Sequence, residues 1–240
     1  MTKVIKVGGV LLEDPAKAVQ AIRRVATDRM AVVHGGGLQI TRMLERMNVE
    51  SVFIEGLRVT DENTLAAVAA ALLGEVHTSL VNELRKQKLP AIGVFGVVQA
   101  SKKLGPWGLV GTNVRADSGI LTALLDSRQM PVIPTLALGE DSLLNVNGDE
   151  TAAAVAVALQ CKELIFLTDV EGVKNGNGAV IERSGKPDEL LTASFVSGGM
   201  IPKLRAVKAA MEGGIPVVRV GRTVFAEGPK GSKMTIDYGQ

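Results

Sequence analysis

The chain has few of the residues on which several functional classes depend. Its 240 residues include one cysteine, Cys161, and two histidines, His34 and His77. One cysteine excludes a disulfide within the chain, and no cysteine–histidine cluster has the spacing of a zinc site. The histidines are also not arranged with a serine or cysteine as nucleophile and base. A disulfide-stapled fold is therefore excluded, and the usual signatures of zinc and acyl-enzyme chemistry are missing.

Aromatic residues and net charge are low as well. Aromatic residues make up 3% of the chain, and the formal net charge at pH 7 is +2. So small a charge gives no electrostatic case for binding nucleic acid or a membrane. No apolar run of transmembrane length and no signal-peptide pattern stand out, so we expect a cytoplasmic protein.

Two common phosphate-binding sequences are absent. The chain has no Gly-x-x-x-x-Gly-Lys-Ser/Thr, which excludes an ordinary P-loop enzyme. Neither of its first two glycine runs continues as Gly-x-Gly-x-x-Gly, which counts against a dinucleotide-binding oxidoreductase. Any phosphate site must therefore use other glycine-rich segments.

Predicted strands and helices alternate along most of the chain. The pattern predicts strands at residues 4–7, 30–33, 91–95, 131–134, 143–146, 163–168, 215–220 and 234–236, and a β-hairpin within 96–114. It predicts helices at 15–27 (capped by Asp14), 38–47, 60–88 (with a break near Gly74), 117–127, 149–159, 187–196 and 201–212. This order predicts an α/β fold with a mainly parallel sheet covered on both faces. A seam between two continuous lobes is expected near residues 145–149.

The first glycine-rich segment opens the chain. Lys6 ends an apolar strand, and Gly8 and Gly9 follow it. Glycine lets backbone N–H groups approach an anion closely, and lysine supplies a compact positive charge. An exposed lysine before an ordinary turn explains this segment equally well when it is taken alone.

The second segment, from His34 through Gly37, lies between a predicted strand and a predicted helix. Three successive glycines lose much backbone entropy on folding, which argues against a plain turn. Amides at the start of the helix suit a carboxylate or phosphoryl group. His34 is interpreted as a structural residue at the end of its strand.

Polar residues mark two further junctions. Arg58 precedes a helix that Thr60 or Asp61 could cap, and its guanidinium suits bidentate binding of a carboxylate, although a lone surface arginine is the simpler interpretation. Asn145 begins Asn-Val-Asn-Gly-Asp at a strand-to-helix junction, where Asp149 could serve as an N-cap only.

A third glycine-rich segment, the second to contain a lysine, runs from Gly198 to Lys203. Its lysine lies within about the first turn of a predicted helix. Two lysine-plus-glycine sites suit a phosphoryl transfer, in which negative charge spreads over the migrating group and the oxygens beside it.

In order, these segments resemble the amino acid kinase family, most closely its members that phosphorylate N-acetyl-L-glutamate. The matching runs are Lys-Val-Gly-Gly-Val-Leu-Leu from Lys6, Val-His-Gly-Gly-Gly from Val33, Gly-Leu-Arg-Val-Thr from Gly56, Asn-Val-Asn-Gly-Asp from Asn145, Leu-Thr-Asp-Val-Glu-Gly-Val from Leu167 and Gly-Gly-Met-Ile-Pro-Lys from Gly198. The resemblance extends from Lys3 to about Gly221.

The resemblance implies a three-layer αβα sandwich with a role for each segment. Residues 1–146 would bind the acyl amino acid and form a homodimer contact, and residues 147–240 would bind ATP. Lys6 and Lys203 would stabilise the transferring phosphoryl group, and Asp149 would orient both lysines. The implied substrate-binding residues are Gly9, Gly35, Gly36, Arg58 and Asn145. The implied ATP-binding residues are Lys6, Gly8, Asp169, Gly172, Val173, Lys174, Gly199, Met200 and Lys203.

The implied reaction is attack of the substrate γ-carboxylate on the γ-phosphorus of ATP, a step of arginine biosynthesis. A carboxylate is ionised at neutral pH, so no general base is needed. Mg²⁺ would be held chiefly by the nucleotide phosphates, so no protein ligand is assigned to it. Because no extra helix precedes the first strand, we expect a homodimer without feedback inhibition by arginine.

The chain also departs from the family pattern. Gly148 and Glu150 replace more usual residues, and Gly105-Pro106-Trp107-Gly108 alters the expected substrate lid. The segment after Arg222 is short for the family. Two other functions stay open: phosphorylation of a carrier-protein-linked aminoadipate or glutamate in lysine-type biosynthesis, and a catalytically silent ligand-binding sensor of the same fold.

Overall fold

The fold is α/β, and a computed structural model describes residues 1–226. Its strands are β1 (Lys3–Val7), β2 (Met30–His34), β3 (Phe53–Ile54), β4 (Leu57–Arg58), β5 (Ala91–Gly93), β6 (Val98–Lys102), β7 (Gly111–Ala116), β8 (Met130–Pro134), β9 (Leu136–Leu138), β10 (Leu143–Asn145), β11 (Glu163–Leu167), β12 (Arg183–Ser184), β13 (Val218–Val220) and β14 (Thr223–Phe225). Its helices are α1 (Pro15–Val25), α2 (Gly37–Arg46), α3 (Glu62–Ala69), α4 (Thr78–Lys86), α5 (Ser118–Asp126), α6 (Gly148–Ala158), α7 (Pro187–Leu191) and α8 (Met200–Glu212). A short 3₁₀ helix (Gly9–Glu13) follows β1, and a π-helical segment (Ala70–His77) joins α3 to α4.

An eight-stranded sheet forms the centre of the fold, in the order β12-β14-β13-β11-β1-β2-β8-β5. Its strands pair in parallel except β13 with β14, so the predicted mainly parallel sheet is confirmed. β2, β8 and β11 are buried at every residue, as expected for strands covered on both faces.

The register of the central strands brings their carboxyl ends together. Lys6 lies between Val33 of β2 and Phe166 of β11. The glycines after β1 and β2 therefore leave the sheet at the same edge, next to the segment that follows β11. In parallel α/β sheets this edge is where ligands bind.

A second sheet, in the order β10-β9-β6-β7, lies beside the first. β6 and β7 form the predicted hairpin, which is confirmed. β1 from the predicted first lobe and β11 from the predicted second lobe are direct neighbours in the main sheet. The division at residues 146 and 147 therefore stays a prediction, since one sheet runs through both parts.

Helix starts follow the predicted caps with one correction. Asp14 accepts hydrogen bonds from the amides of Ala16 (3.0 Å) and Lys17 (3.2 Å), as predicted. At α6 the cap is Asn147, whose side chain accepts from the amides of Asp149 (2.9 Å) and Glu150 (3.1 Å). The N-cap interpretation of Asp149 is therefore wrong, and its carboxylate is free for another role.

The predicted break near Gly74 is also wrong. Residues 62–86 form one continuous helix whose middle is π-helical. By length and composition alone this helix could cross a membrane, which corrects the expectation that no segment reaches that length. The buried core helix of a soluble protein passes the same test, and here Leu72, Leu80 and Leu84 are buried in the core.

Three predicted elements near the end of the chain differ in extent or lie outside the structure. The helix expected at 187–196 ends at Leu191, and the strand expected at 215–220 begins only at Val218. The strand expected at 234–236 lies outside the described residues.

Candidate active site

A cavity of about 220 Å³ lies at the carboxyl ends of β1 and β2. Its walls are Lys6, Gly8, Gly9, Gly35, Gly36, Gly37, Ile40, Phe53, Gly56, Leu57, Arg58, Val110, Thr135, Asn145, Val146, Asn147 and Gly148. All five residues predicted to bind the substrate are among them. The tertiary fold thus brings together segments that are more than a hundred positions apart in sequence.

Asp149 lies between two lysine ammonium groups beside this cavity. Lys6 Nζ is 2.9 Å from Asp149 Oδ1, and Lys203 Nζ is 3.0 Å from Asp149 Oδ2. The three residues come from β1, α6 and α8, and Asp149 is 5% exposed. The carboxylate therefore holds the two ammonium groups at a set separation.

The cluster carries an excess of positive charge. Burial by itself raises the pKa of Asp149, but the charges of Lys6 and Lys203 outweigh burial and hold that pKa below its ordinary value. Asp149 is therefore ionised at neutral pH, and two cations face one anion. A phosphoryl group entering between the lysines would balance the remaining charge.

Two glycines leave room for the Lys6 side chain. A methyl group at Gly8 would lie 2.6 Å from Lys6 Nζ, and one at Gly148 would lie 3.1 Å from Lys6 Cε. Lys6 therefore bends back over Gly8 to reach Asp149. Gly148, a departure from the family pattern, leaves space on the other side of the Lys6 side chain.

The second glycine run presents the amino end of α2 to the cavity. Gly35 N–H donates to the carbonyl of Val7 (3.1 Å), so this amide has a partner within the fold, and substrate binding by Gly35 stays a prediction. Gly36 N–H donates to no other described residue, and α2 begins at Gly37 without a side-chain cap. The amides of Gly36 and Gly37 are consequently available to an anion.

Arg58 is a buried cation without a carboxylate partner among residues 1–226. It is 8% exposed, and its guanidinium donates to Thr41 Oγ1 (2.9 Å), Gly37 O (3.3 Å) and the Ser51 hydroxyl. The ring of Phe53 lies 4.6 Å from its central carbon. Burial lowers the pKa of Arg58, but an arginine stays charged at neutral pH. A buried charge with neutral partners only is stabilised when an anion binds beside it.

Asn145 and the β6–β7 hairpin support the same wall. Asn145 Nδ2 donates to Thr60 Oγ1 (3.1 Å), and its backbone N–H donates to Leu109 O (2.9 Å). Trp107 Nε1 donates to Ile54 O (3.2 Å), and Thr60 N–H donates to Trp107 O (2.9 Å). The Gly-Pro-Trp-Gly segment thus connects the β6–β7 hairpin to the β3–β4 hairpin that carries Arg58.

The residues predicted to bind ATP divide into exposed and buried groups. Asp169 is exposed, and its Oδ1 lies 3.7 Å from where a Gly9 Cβ would be, so it adjoins the first glycine run. Lys174 is also exposed and lies 3.6 Å from Glu171. Val173 is buried, its N–H donates to Thr223 Oγ1 (2.8 Å), and its carbonyl accepts from Ile181 (2.8 Å). The backbone N–H and carbonyl of Val173 thus already have partners within the fold, and its contact with ATP stays a prediction.

The remaining predicted ATP residues lie at the turn after β11 and at the start of α8. A methyl group at Gly172 would lie 2.7 Å from Thr223 Oγ1, so packing already requires glycine there. Gly199 has open space beside it and is the residue before α8, and Met200 begins that helix and is partly buried. α8 in turn carries Lys203 to Asp149.

Sequence reasoning missed several polar residues that orient the site. Thr41 and Ser51 hold Arg58, and Thr60 Oγ1 is shared between Arg58 O (2.9 Å) and Asn145. Hydroxyl residues occur throughout the chain, so only the Gly-Leu-Arg-Val-Thr run offered a signal, and only for Thr60. Among residues 1–226 no group of three or more His, Cys, Asp or Glu side chains could hold a metal ion.

Comparison with known proteins shows the family of the chain. A family model described as the amino acid kinase family matches residues 1–220. The chain is 40% identical over 235 residues to the acetylglutamate kinase of Acidobacterium capsulatum, covering 92% of this chain and 90% of that protein. It is 40% identical over 229 residues to the acetylglutamate kinase of Methanopyrus kandleri, with 88% and 91% covered.

A solved structure has the same fold. The crystal structure of smu.665 from Streptococcus mutans UA159 superposes with a TM-score of 0.84 at 30% identity, covering 94% of this chain and 98% of that chain. The family model matches well over half of the chain, and the curated relatives are covered nearly from end to end. The chain belongs to the amino acid kinase family.

Proposed function

We propose that this protein transfers a phosphoryl group from ATP to the γ-carboxylate of N-acetyl-L-glutamate and so catalyses a step of arginine biosynthesis. One observation carries the proposal: a single cavity has the guanidinium of Arg58, whose described partners are all neutral, on one wall and the ammonium of Lys6 on another. A small dicarboxylate spans such a pair of cations. The acetylglutamate kinases to which the chain is similar support the choice of substrate.

Arg58 and Asn145 would bind the α-carboxylate and acylamino end. Arg58 offers charged donors to a carboxylate, and Asn145 keeps its Oδ1 as an acceptor for an amide N–H because its Nδ2 already donates to Thr60. The amides of Gly36 and Gly37 would receive the γ-carboxylate. These contacts leave the γ-carboxylate facing Lys6.

The chemical step needs no general base. The ionised γ-carboxylate attacks the γ-phosphorus in line, the bond from that phosphorus to the bridging oxygen breaks, and ADP leaves. Lys6 and Lys203 neutralise charge on the migrating group and the leaving oxygen. Asp149 stays ionised and holds both ammonium groups in place.

Magnesium would be held chiefly by the nucleotide phosphates. Both oxygens of Asp149 are taken by ammonium groups, so this carboxylate is not free to bind a cation. Asp169, next to Gly9, is the carboxylate best placed to approach a nucleotide-bound ion. Mg²⁺ would supply further neutralisation of phosphate charge.

The test is ATP-dependent acyl phosphate formation, trapped with hydroxylamine, on N-acetyl-L-glutamate, L-glutamate and L-α-aminoadipate. We expect efficient turnover of N-acetyl-L-glutamate only. Turnover that appears only when aminoadipate or glutamate is linked to a carrier protein would favour the lysine-type kinase. Tight binding of acetylglutamate without any hydroxamate would favour the silent sensor.

We also propose that the enzyme is a cytoplasmic homodimer in which residues 1–146 form the dimer contact and residues 147–240 bind ATP. The exposed side chains of Ile92 and Phe95, at the β5 edge of the main sheet, support a contact in the first part. Light scattering coupled to size exclusion measures the state directly, and a monomer at micromolar concentration would contradict the dimer.

A further inference from the structure

The only two histidines of the chain form one pair, in which His34 is buried and His77 is partly buried. His34 is the last residue of β2 and is 0% exposed, and His77 is the last residue of the π-helical segment. His34 Nε2 lies 2.8 Å from His77 Nδ1. The proposed mechanism uses neither side chain, although His34 directly precedes the glycines of the cavity wall.

Hydrogen-bond chemistry determines which ring nitrogens carry protons. His34 Nδ1 lies 3.0 Å from Gly35 O, and a carbonyl only accepts, so Nδ1 carries a proton. Burial lowers the pKa of His34 to about 3, so the ring is neutral and its Nε2 is an acceptor. His77 Nδ1–H must then donate to His34 Nε2. The two rings form a directed chain of N–H donors that ends at Gly35 O.

The hydrogen bond from His34 to Gly35 O sets the direction of one peptide group. The C=O and N–H of a trans peptide point in opposite directions, and residues 1–226 contain no cis peptide. A Gly35 carbonyl turned toward buried His34 therefore turns the N–H of Gly36 away from that ring. Gly36 N–H is one of the cavity-wall amides for which the described residues provide no acceptor.

The π-helical segment packs closely against the same glycine loop. A methyl group at Gly36 would lie 2.9 Å from Leu72 Cδ2 and 3.1 Å from Val76 Cγ2, both on the π-helical segment. A methyl group at Gly93 would overlap His77 Nε2. π-helical segments are rare and often lie at functional sites. This one supplies both the apolar contacts to Gly36 and the histidine that starts the donor chain.

We propose that His77 and His34 are positioning residues, which together hold the peptide between Gly35 and Gly36 so that the Gly36 N–H faces the anion in the cavity. This inference rests on the proposed function, because it assigns that N–H to the γ-carboxylate and phosphoryl oxygens. The pair touches no reacting atom and acts only through the glycine loop.

The first test needs no activity. With ¹⁵N-labelled histidine the protein gives signals from two imidazoles only, and long-range ¹H–¹⁵N correlation at pH 7 reports the tautomer of each ring. We expect both rings to be protonated at Nδ1 and bare at Nε2. A ring that is protonated at Nε2, or doubly protonated, would overturn the donor chain.

The second test is kinetic and uses two matched pairs. Asparagine can place an amide N–H where histidine has Nδ1, whereas glutamine reaches only the Nε2 position. We therefore expect His34→Gln and His77→Leu to lower kcat about tenfold or more, because the amide that binds the anion is displaced, while the KM for ATP is unchanged. His34→Asn and His77→Asn should keep kcat within about threefold of wild type. Equal kcat values within each pair would overturn the proposal.

A control variant separates an effect on stability from an effect on activity. Cys161→Ala removes a buried side chain just before the amino end of β11 and outside the cavity wall, so it should lower the melting temperature and leave kcat unchanged. A purely structural histidine pair would behave as this control does. If wild type forms no acyl phosphate, the proposed function fails, while the tautomer spectrum still judges the donor chain.

Discussion

Lys203 Nζ lies 3.0 Å from Asp149 Oδ2, although the two residues are 54 positions apart in the chain. Lys6 occupies the other oxygen of the same carboxylate. One buried aspartate therefore determines the separation of two cations that come from different parts of the chain. The predicted consequences for activity follow from this arrangement.

Lys203→Ala should lower kcat by on the order of a hundredfold or more, because it removes one of two charges that stabilise the phosphoryl group. Steady-state acyl phosphate formation measures the change. Lys208→Ala is the matched control, since Lys208 lies on the same helix but pairs with Asp188 at the surface. Near-normal turnover in Lys203→Ala would remove Lys203 from the mechanism.

Arg58→Lys should raise the KM for the carboxylate substrate about ten- to a hundredfold, because lysine cannot reproduce the donor geometry of a guanidinium. The KM for ATP should stay unchanged. Arg42→Lys is the control, because Arg42 lies on α2 and pairs with Glu13 outside the cavity proposed to bind the acyl amino acid. A similar rise for both substrates would indicate a general disturbance of the fold instead.

Gly8→Ala should lower kcat far more than Gly148→Ala does. A methyl group at Gly8 would lie 2.6 Å from the Lys6 ammonium itself, whereas at Gly148 it would lie 3.1 Å from Cε. The methyl group at position 8 would push the Lys6 ammonium away from Asp149. The methyl group at position 148 would require the Lys6 side chain to shift by only a few tenths of an ångström. Measuring kcat and the melting temperature of both variants tests this prediction. An equal loss of kcat in the two variants would contradict it.

Stability should fall as pH falls through the window set by His34. The pKa of His34 is lowered from 6.5 to about 3 in the folded chain, mainly by burial, so between these values the unfolded chain binds a proton that the folded chain does not. The free energy of unfolding should then drop by up to about 1.4 kcal/mol per pH unit from this residue.

Urea unfolding between about pH 7 and pH 5, above the range where most carboxylates titrate, measures this slope. Burial lowers the pKa of His77 too, so it contributes in the same direction. His34→Gln should show a smaller slope than wild type, and identical slopes would contradict the assignment.

Glu163→Gln should destabilise the fold without altering the chemistry. Glu163 is buried at the amino end of β11, pairs with Lys3 at 2.9 Å and with Arg219, and lies at the opposite end of its strand from the active site. Leaving Arg219 buried without its partner should cost about 3–5 kcal/mol of unfolding free energy. Denaturant unfolding gives that value, and kcat measured well below the melting temperature should match wild type.

Much of the fold could be predicted from local pattern. Strands such as β2 and β11 are continuous apolar runs because both of their faces are buried, and Asp14 caps α1 through bonds to residues two and three positions away. Gly74 was misleading, because tertiary packing on Leu72 and Leu80 keeps the helix continuous despite the poor helix propensity of glycine.

By itself the sequence determined the alternation of the main strands and helices, the three glycine-rich segments and the family, because these depend on runs of neighbouring residues. Only the tertiary structure decided that Val7 occupies the Gly35 amide and that Arg58 has only neutral partners. It also paired His34 with His77 across 43 positions. Such contacts depend on how strands align in the sheet and on which groups are shielded from water, and no local pattern of residues encodes either.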